Sequence, residues 1–230
     1  MKKLCLVFAH PDDESFSSGG TIARYADEGV DITLVTATRG EAGKVEGFES
    51  GSREVAELRE KELREATGVL GVTHLRLLGL PDGKLEDRAE ELQAAIRQAL
   101  REVQPQVVIT EDVMGITGHS DHIAVTRAVV RAYDELGDAA PLKLYEHVIP
   151  LSVGQGGRVG TPEDHITATL DVEPWRPRLI AALRSHRSQV PEETLKHFES
   201  GPPWSDGYVC VRSRVPILIP ETDLFAGIPD

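Results

Sequence analysis

The residues Leu4-Cys5-Leu6-Val7-Phe8 form an unbroken apolar run that stops at Ala9 and gives way to His10-Pro11-Asp12-Asp13-Glu14. A run this short, with a turn directly after it, predicts a strand covered on both faces, since a strand with one wet face would alternate. Pro11 lacks an N–H and has its φ fixed, so the ladder ends there. Four ionisable side chains, His10, Asp12, Asp13 and Glu14, therefore stand just past the end of a buried strand. Ser17-Ser18-Gly19-Gly20 then leads into Thr21–Ala26, which reads as a helix. Strand, polar turn, helix is how an open α/β sheet presents a site at the carboxyl ends of its strands. Carboxylates packed side by side repel, and a divalent cation would neutralise them. A solvated acidic turn would need neither a leading histidine nor a buried strand to aim it.

The same alternation continues. Asp31–Thr36 reads as a second strand, followed by a long glycine-rich, charged loop from Ala37 to about Gly51; loops of that length are commonly functional. Ser52 is a candidate N-cap for a helix to about Gly68. His74–Leu78 is a third strand, closed by the turn Gly79–Gly83. Glu86–Val103 is the cleanest amphipath, ended by Pro105, and Gln106–Thr110 is a fourth buried strand. A second polar turn, Glu111–His122, leads into a helix from Ile123 to Leu136. Leu142–Ile149 is a fifth strand, Leu151–Asp164 a loop or lid, and His165–Val172 a further strand. Pro177 starts a helix ending near His186–Gln189, Val190–Ser205 is loop with some helix, and Tyr208–Arg214 is a last strand at a sheet edge. The pattern predicts one α/β domain over residues 1–230: a mostly parallel sheet with helices on both faces and antiparallel additions in the C-terminal part.

Bulk properties exclude several classes. A net charge of −13 gives no electrostatic case for nucleic acid or an anionic membrane. No apolar segment approaches transmembrane length, and the run after Lys2-Lys3 is too short for a signal peptide. The two cysteines, Cys5 and Cys210, sit in apolar runs and read as buried thiols of a reducing, cytoplasmic setting. An exposed last strand leaves room for a homo-oligomer.

If the first and fourth strands are neighbours, the two polar turns meet over one crevice. His10 and Asp13 from the first turn and His122 from the second would then form a three-ligand centre with a fourth position for water, the form of a catalytic zinc site. Iron(II) or another divalent cation suits the same donors. Magnesium, as in a sugar phosphohydrolase, is disfavoured by two nitrogen ligands. Zinc-bound water and a polarised carbonyl would serve amide hydrolysis. Asp12 beside the water is placed as general base, and His119, held by Asp121, as the group that stabilises the oxyanion and gives a proton to the leaving amine.

Ala9-His10-Pro11-Asp12-Asp13-Glu14 and Gly118-His119-Ser120-Asp121-His122 resemble the paired signatures of the PIG-L/LmbE-like N-deacetylases. The likeness also takes in Thr38–Gly43, Leu78–Gly83 and Ala182–Gln189. It implies a Rossmann-like fold and a zinc-dependent hydrolase that removes the acetyl group of an N-acetylglucosamine-type conjugate, a small-molecule substrate. By position it puts the metal on His10, Asp13 and His122, the base on Asp12, and the charge-stabilising histidine on His119, oriented by Asp121. It also implies a substrate role for Arg59 and Asp82, and a place near the site for His186. Two departures stand out: Ser120 where many members have proline, and Thr117-Gly118 where some have a tyrosine or arginine that helps with substrate. The rival reading is a sugar-binding protein that keeps the fold without turnover.

Overall fold

Five parallel strands alternate with helices through the first two thirds of the chain: β1 (Lys3–Phe8), α1 (Asp13–Asp27), β2 (Asp31–Thr38), α2 (Arg53–Leu70), β3 (His74–Leu80), α3 (Ala89–Val103), β4 (Val107–Glu111), the single turn α4 (Gly115–Gly118), α5 (Ser120–Leu136) and β5 (Lys143–Val148). Then come β6 (Ala168–Asp171), α6 (Arg176–Ser185), α7 (Glu192–Ser200) and β7 (Ser205–Ser213). The computed structural model describes residues 1–153, 160–202 and 204–229, so residues 154–159 of the expected lid lie outside the described residues. Among the described residues no helix is long and apolar enough to cross a membrane.

The strand order is β3-β2-β1-β4-β5-β7-β6, with β1 paired in parallel to both β2 and β4. Leu4, Leu6 and Phe8 enter one core with Ile22, Tyr25, Leu63 and Leu70, so α1 and α2 cover that face. Cys5, Val7 and Ala9 enter the other, with Leu92, Ile96, Val125 and Val129 of α3 and α5. Burial on both faces is why β1 reads as a continuous apolar run. The chain adds strands outward from β1 to β3, then returns to the other side of β1 for β4. That reversal opens a crevice at the carboxyl ends of β1 and β4.

The Gly19-Gly20 pair in α1 answers to close packing. A Cβ at Gly19 would lie 2.6 Å from Leu179 of α6, and one at Gly20 would lie 2.6 Å from Val172. The helix is kinked here, with Ser18 outside helical geometry. Buried polar groups on this stretch are satisfied: the Tyr208 hydroxyl lies 3.1 Å from Ser18 Oγ and 2.8 Å from Thr21 Oγ1, and Thr21 donates to Asp206. α6 in turn packs on α1 and α2.

Several expectations are corrected. β7 is not an edge strand: it lies between β5 and β6, antiparallel to both. The edges are β3 and β6, and at Ala168 and Thr169 the backbone of Glu221 covers β6. The helix after the second polar turn starts at Ser120 rather than Ile123, because His119 is extended and its ring accepts from the Asp121 N–H, a side-chain cap. His165 ends a short 3-10 helix, Glu163–His165, and the strand there is only Ala168–Asp171. Both cysteines are free, but Cys210 is half-buried while Cys5 is buried.

Candidate metal centre

The two polar turns converge over the crevice between β1 and β4. His10 Nδ1 lies 3.1 Å from His122 Nε2, although the residues are 112 apart in sequence. The Asp13 carboxylate spans both rings, with Oδ1 3.4 Å from His122 Nε2 and Oδ2 3.5 Å from His10 Nδ1. Two nitrogens about 2.05 Å from a tetrahedral zinc would be about 3.3 Å apart, so the pair is spaced as ligands of one ion. His119 joins them: one ligand atom each from His10, His119 and His122 lies within 4.8 Å of the others, and the same holds for Asp13, Glu111 and His122. These groups could hold a metal ion.

The centre is crowded with acid. Asp12, Asp13, Glu14, Asp82, Glu111 and Asp121 surround it, all buried or half-buried. Burial works against a charge on His10, but hydrogen bonds to Asp121, Asp13 and Asp82 outweigh it and push its pKa up to about 12. Burial would raise Asp13, yet the bond to His10 and the charges of His122 and His10 hold its carboxyl well below the usual range. Glu111 is pushed well above it by burial and by the charge of Asp13. Asp12 is raised to about 7 by burial and by Asp13, with Arg59 and His186 opposing. These shifts describe a site that favours added positive charge.

Support for the rings comes from residues whose role the sequence read differently or not at all. Asp121 was expected to hold His119, and Asp82 to meet substrate. The carboxylates of both face His10 Nε2, Asp82 Oδ1 at 3.0 Å and Asp121 Oδ2 at 3.3 Å. Asp121 also accepts the N–H groups of Gly83 and Leu85, and Asp82 that of Ala42. Its link to His119 runs through the backbone, the Asp121 N–H donating to Nδ1 at 3.2 Å, which leaves the other ring nitrogen of an exposed His119 free to carry a proton. Glu111, which the sequence reading passed over, lies 3.1 Å from His122 Nδ1, though not aligned as a hydrogen bond. Its signal was available: an acid closing the buried run Val107–Thr110 at the crevice.

Arg59 and His186 are both buried beside the two polar turns. Arg59 is 5% exposed, and its guanidinium donates to Gly40 O at 2.7 Å, to Pro11 O at 2.6 Å and to Asp12 Oδ2 at 3.2 Å. Gly40, at φ +70, is required there: a Cβ would fall 2.4 Å from the guanidinium. His186 is 0% exposed and bonded to Glu14 Oε1 at 2.7 Å. Asp12 itself sits at φ 111, a left-handed conformation that costs a non-glycine residue about 1–3 kcal/mol. The Thr117 side chain lies outside the described residues.

The family described as PIG-L, GlcNAc-PI de-N-acetylase, matches residues 5–133. A 1D-myo-inositol 2-acetamido-2-deoxy-alpha-D-glucopyranoside deacetylase of Salinispora arenicola (strain CNS-205) is 33% identical, covering 99% of this chain and 92% of its own length. Among solved structures, N,N'-diacetylchitobiose deacetylase from Pyrococcus horikoshii superposes with a TM-score of 0.74 at 22% identity, over 91% of this chain and 84% of that one. The 4-carboxy-2-hydroxymuconate hydratase GalB of Pseudomonas putida KT2440 does so at 0.71 and 18%, over 94% and 98%. At those identities the two structures speak for the fold alone, and GalB shows that the fold also carries a hydration. The family match and the nearly full-length relative decide the assignment: this chain belongs to the PIG-L family of de-N-acetylases.

Proposed function

We propose that this chain hydrolyses the acetamide of an N-acetylglucosamine-type conjugate, a small-molecule substrate, using one divalent cation, zinc, held by His10, Asp13 and His122. The observation that carries this reading is the 3.1 Å approach of two imidazole nitrogens from separate loops, bracketed by one carboxylate. The donor set fits zinc: two nitrogens and an oxygen at ligand spacing, with histidines that magnesium would not favour. When bound, zinc supplies a water of pKa ~7 and a polarised substrate carbonyl.

The chain's own residues do the rest. Asp12 Oδ2, oriented by Arg59, accepts the proton of the attacking water, and a pKa near neutrality suits a base working near pH 7. Asp82 and Asp121 fix the His10 ring and Glu111 backs the His122 ring, the carboxylate–histidine support that sets ligand orientation and basicity. His119, at the exposed mouth, stabilises charge on the carbonyl oxygen and hands a proton to the departing amine. The Salinispora relative is named for an N-acetylglucosaminide of inositol, which supports an amino-sugar conjugate as the class.

The test is acetate release from N-acetylglucosamine conjugates by protein stripped of metal, with and without added zinc. Zinc-dependent release of acetate and free amine is expected. Binding of the conjugate with no release under any divalent cation would favour a sugar-binding protein, and phosphate release from sugar phosphates with magnesium would overturn the reading.

A further inference from the structure

We propose that His186 is a positioning residue for Asp12, acting through Glu14. The proposal rests on Asp12 being the general base, and it adds a residue 172 positions away from Glu14 in the chain. Asp12 occupies a conformation that glycine would adopt freely, φ 111 and ψ −28, with no side-chain cap bond of its own to hold it there. An aspartate kept in such a place is held by its surroundings. Two groups do so. Arg59 donates to the Pro11 carbonyl and to Asp12 Oδ2, and Glu14 Oε2 accepts the Asp12 backbone N–H at 3.1 Å.

Glu14 can hold that N–H in place only if its own carboxylate is fixed. Oε1 accepts from Ser15 Oγ at 2.5 Å and from His186 Nε2 at 2.7 Å. A carboxylate only accepts, so Nε2 carries the proton. Among the described residues this is the one hydrogen bond of the His186 ring, since Nδ1 is buried without a partner. With 0% exposure the ring touches no substrate, and an apolar side chain would fill the space without leaving a polar atom unsatisfied. The polar ring is therefore explained by Glu14. His186 directly follows α6, whose Leu179 packs against Gly19 of α1, so the relay ties the Asp12 backbone to the helix packing behind it.

The metal ligands do not depend on this relay. The His10 N–H donates to Asp13 Oδ2 at 2.7 Å, and Asp82 and Asp121 hold the His10 ring from the far side. Losing His186 should therefore free Asp12 while leaving the cation in place. His186→Leu should lower kcat by about 10–100-fold, the order of a misplaced catalytic group, with KM within about twofold and metal content unchanged. His186→Gln, whose amide N–H reaches about as far as Nε2, should recover most of the loss. In a crystal structure of His186→Leu, Asp12 should have left the left-handed region.

An unchanged kcat in His186→Leu would overturn the proposal, as would loss of metal in His186→Leu and His186→Gln alike, which is what a merely structural role gives. If His186→Leu does not fold, His186→Gln is compared with His186→Asn, whose amide stops short of Glu14. A fast Gln variant and a slow Asn variant support the relay, and equal rates refute it. Should the wild type release no acetate with any metal, the proposed function falls. The relay is then judged by the Asp12 φ in the His186→Gln and His186→Asn structures: retained in the first and lost in the second supports it, and the same φ in both refutes it.

Discussion

Buried charge occurs at both ends of this sheet and is handled in opposite ways. At the amino end of β5, Lys143 and Glu221 are both fully buried, with Nζ 2.5 Å from Oε1 and 2.7 Å from Ala226 O. The Tyr145 hydroxyl donates to the other carboxylate oxygen. One cation meets one anion, and protein groups complete the set. At the carboxyl ends of β1 and β4, six carboxylates face one arginine and four histidines among the described residues, where both oxygens of Glu111 and Nδ1 of His122 and His186 lack hydrogen bonds. A closed buried pair fastens the C-terminal tail to the sheet. An open, acid-rich one calls for a cation from outside.

Four substitutions test that contrast. The largest effect belongs to Asp12→Ala, which removes the proposed base and leaves the ligands. Turnover should fall by about 10²–10⁴-fold while metal analysis finds the cation still bound, and loss of metal instead would make Asp12 a ligand. Next is Lys143→Met at the closed end, which strands Glu221 in the interior. Denaturant unfolding should show a loss of about 3–5 kcal/mol, with kcat of the folded fraction unchanged. A fall in kcat would mean that the two ends are coupled.

Glu111→Gln replaces the carboxyl group that lies behind His122 Nδ1. Metal affinity should weaken by about 10–100-fold in a competition titration against a chelator, and unchanged affinity would strip Glu111 of its supporting role. Last is Asp206, a buried acid held among the described residues by neutral donors, whose effect is read as a slope with pH. Burial raises its pKa from 3.8 to about 6, opposed by bonds from Thr21 and Trp204. Between those values the folded state holds more protons than the unfolded one, so stability declines as pH rises through that window. Asp206→Asn lacks this slope, and unfolding curves of the two proteins should converge or cross as pH rises from 4 to 6.5. Parallel curves would contradict the shift.

Much of this was legible in the chain. Alternating apolar runs and amphipaths gave β1 to β5 and their helices, because strands buried on both faces leave an unmistakable pattern. The meeting of the two polar turns was legible because one follows β1 and the other follows β4. What the sequence hid depends on long-range pairing. Nothing local in Ser205–Ser213 says that β7 enters between β5 and β6. Asp82 and Asp121 look like substrate or second-histidine partners until the backbone turns them onto His10. His186 looked like a helix-end residue near substrate, since burial by α1 is a tertiary fact that no spacing records.

The account turns on one ion held by His10, Asp13 and His122. Elemental analysis of the purified protein, alongside a folded His122→Ala variant, tests it most directly. It predicts one divalent metal per chain in the wild type and none in the variant, with a circular dichroism spectrum unchanged. A wild type that stays metal-free when dialysed against zinc, or a variant that keeps the full complement, would contradict it.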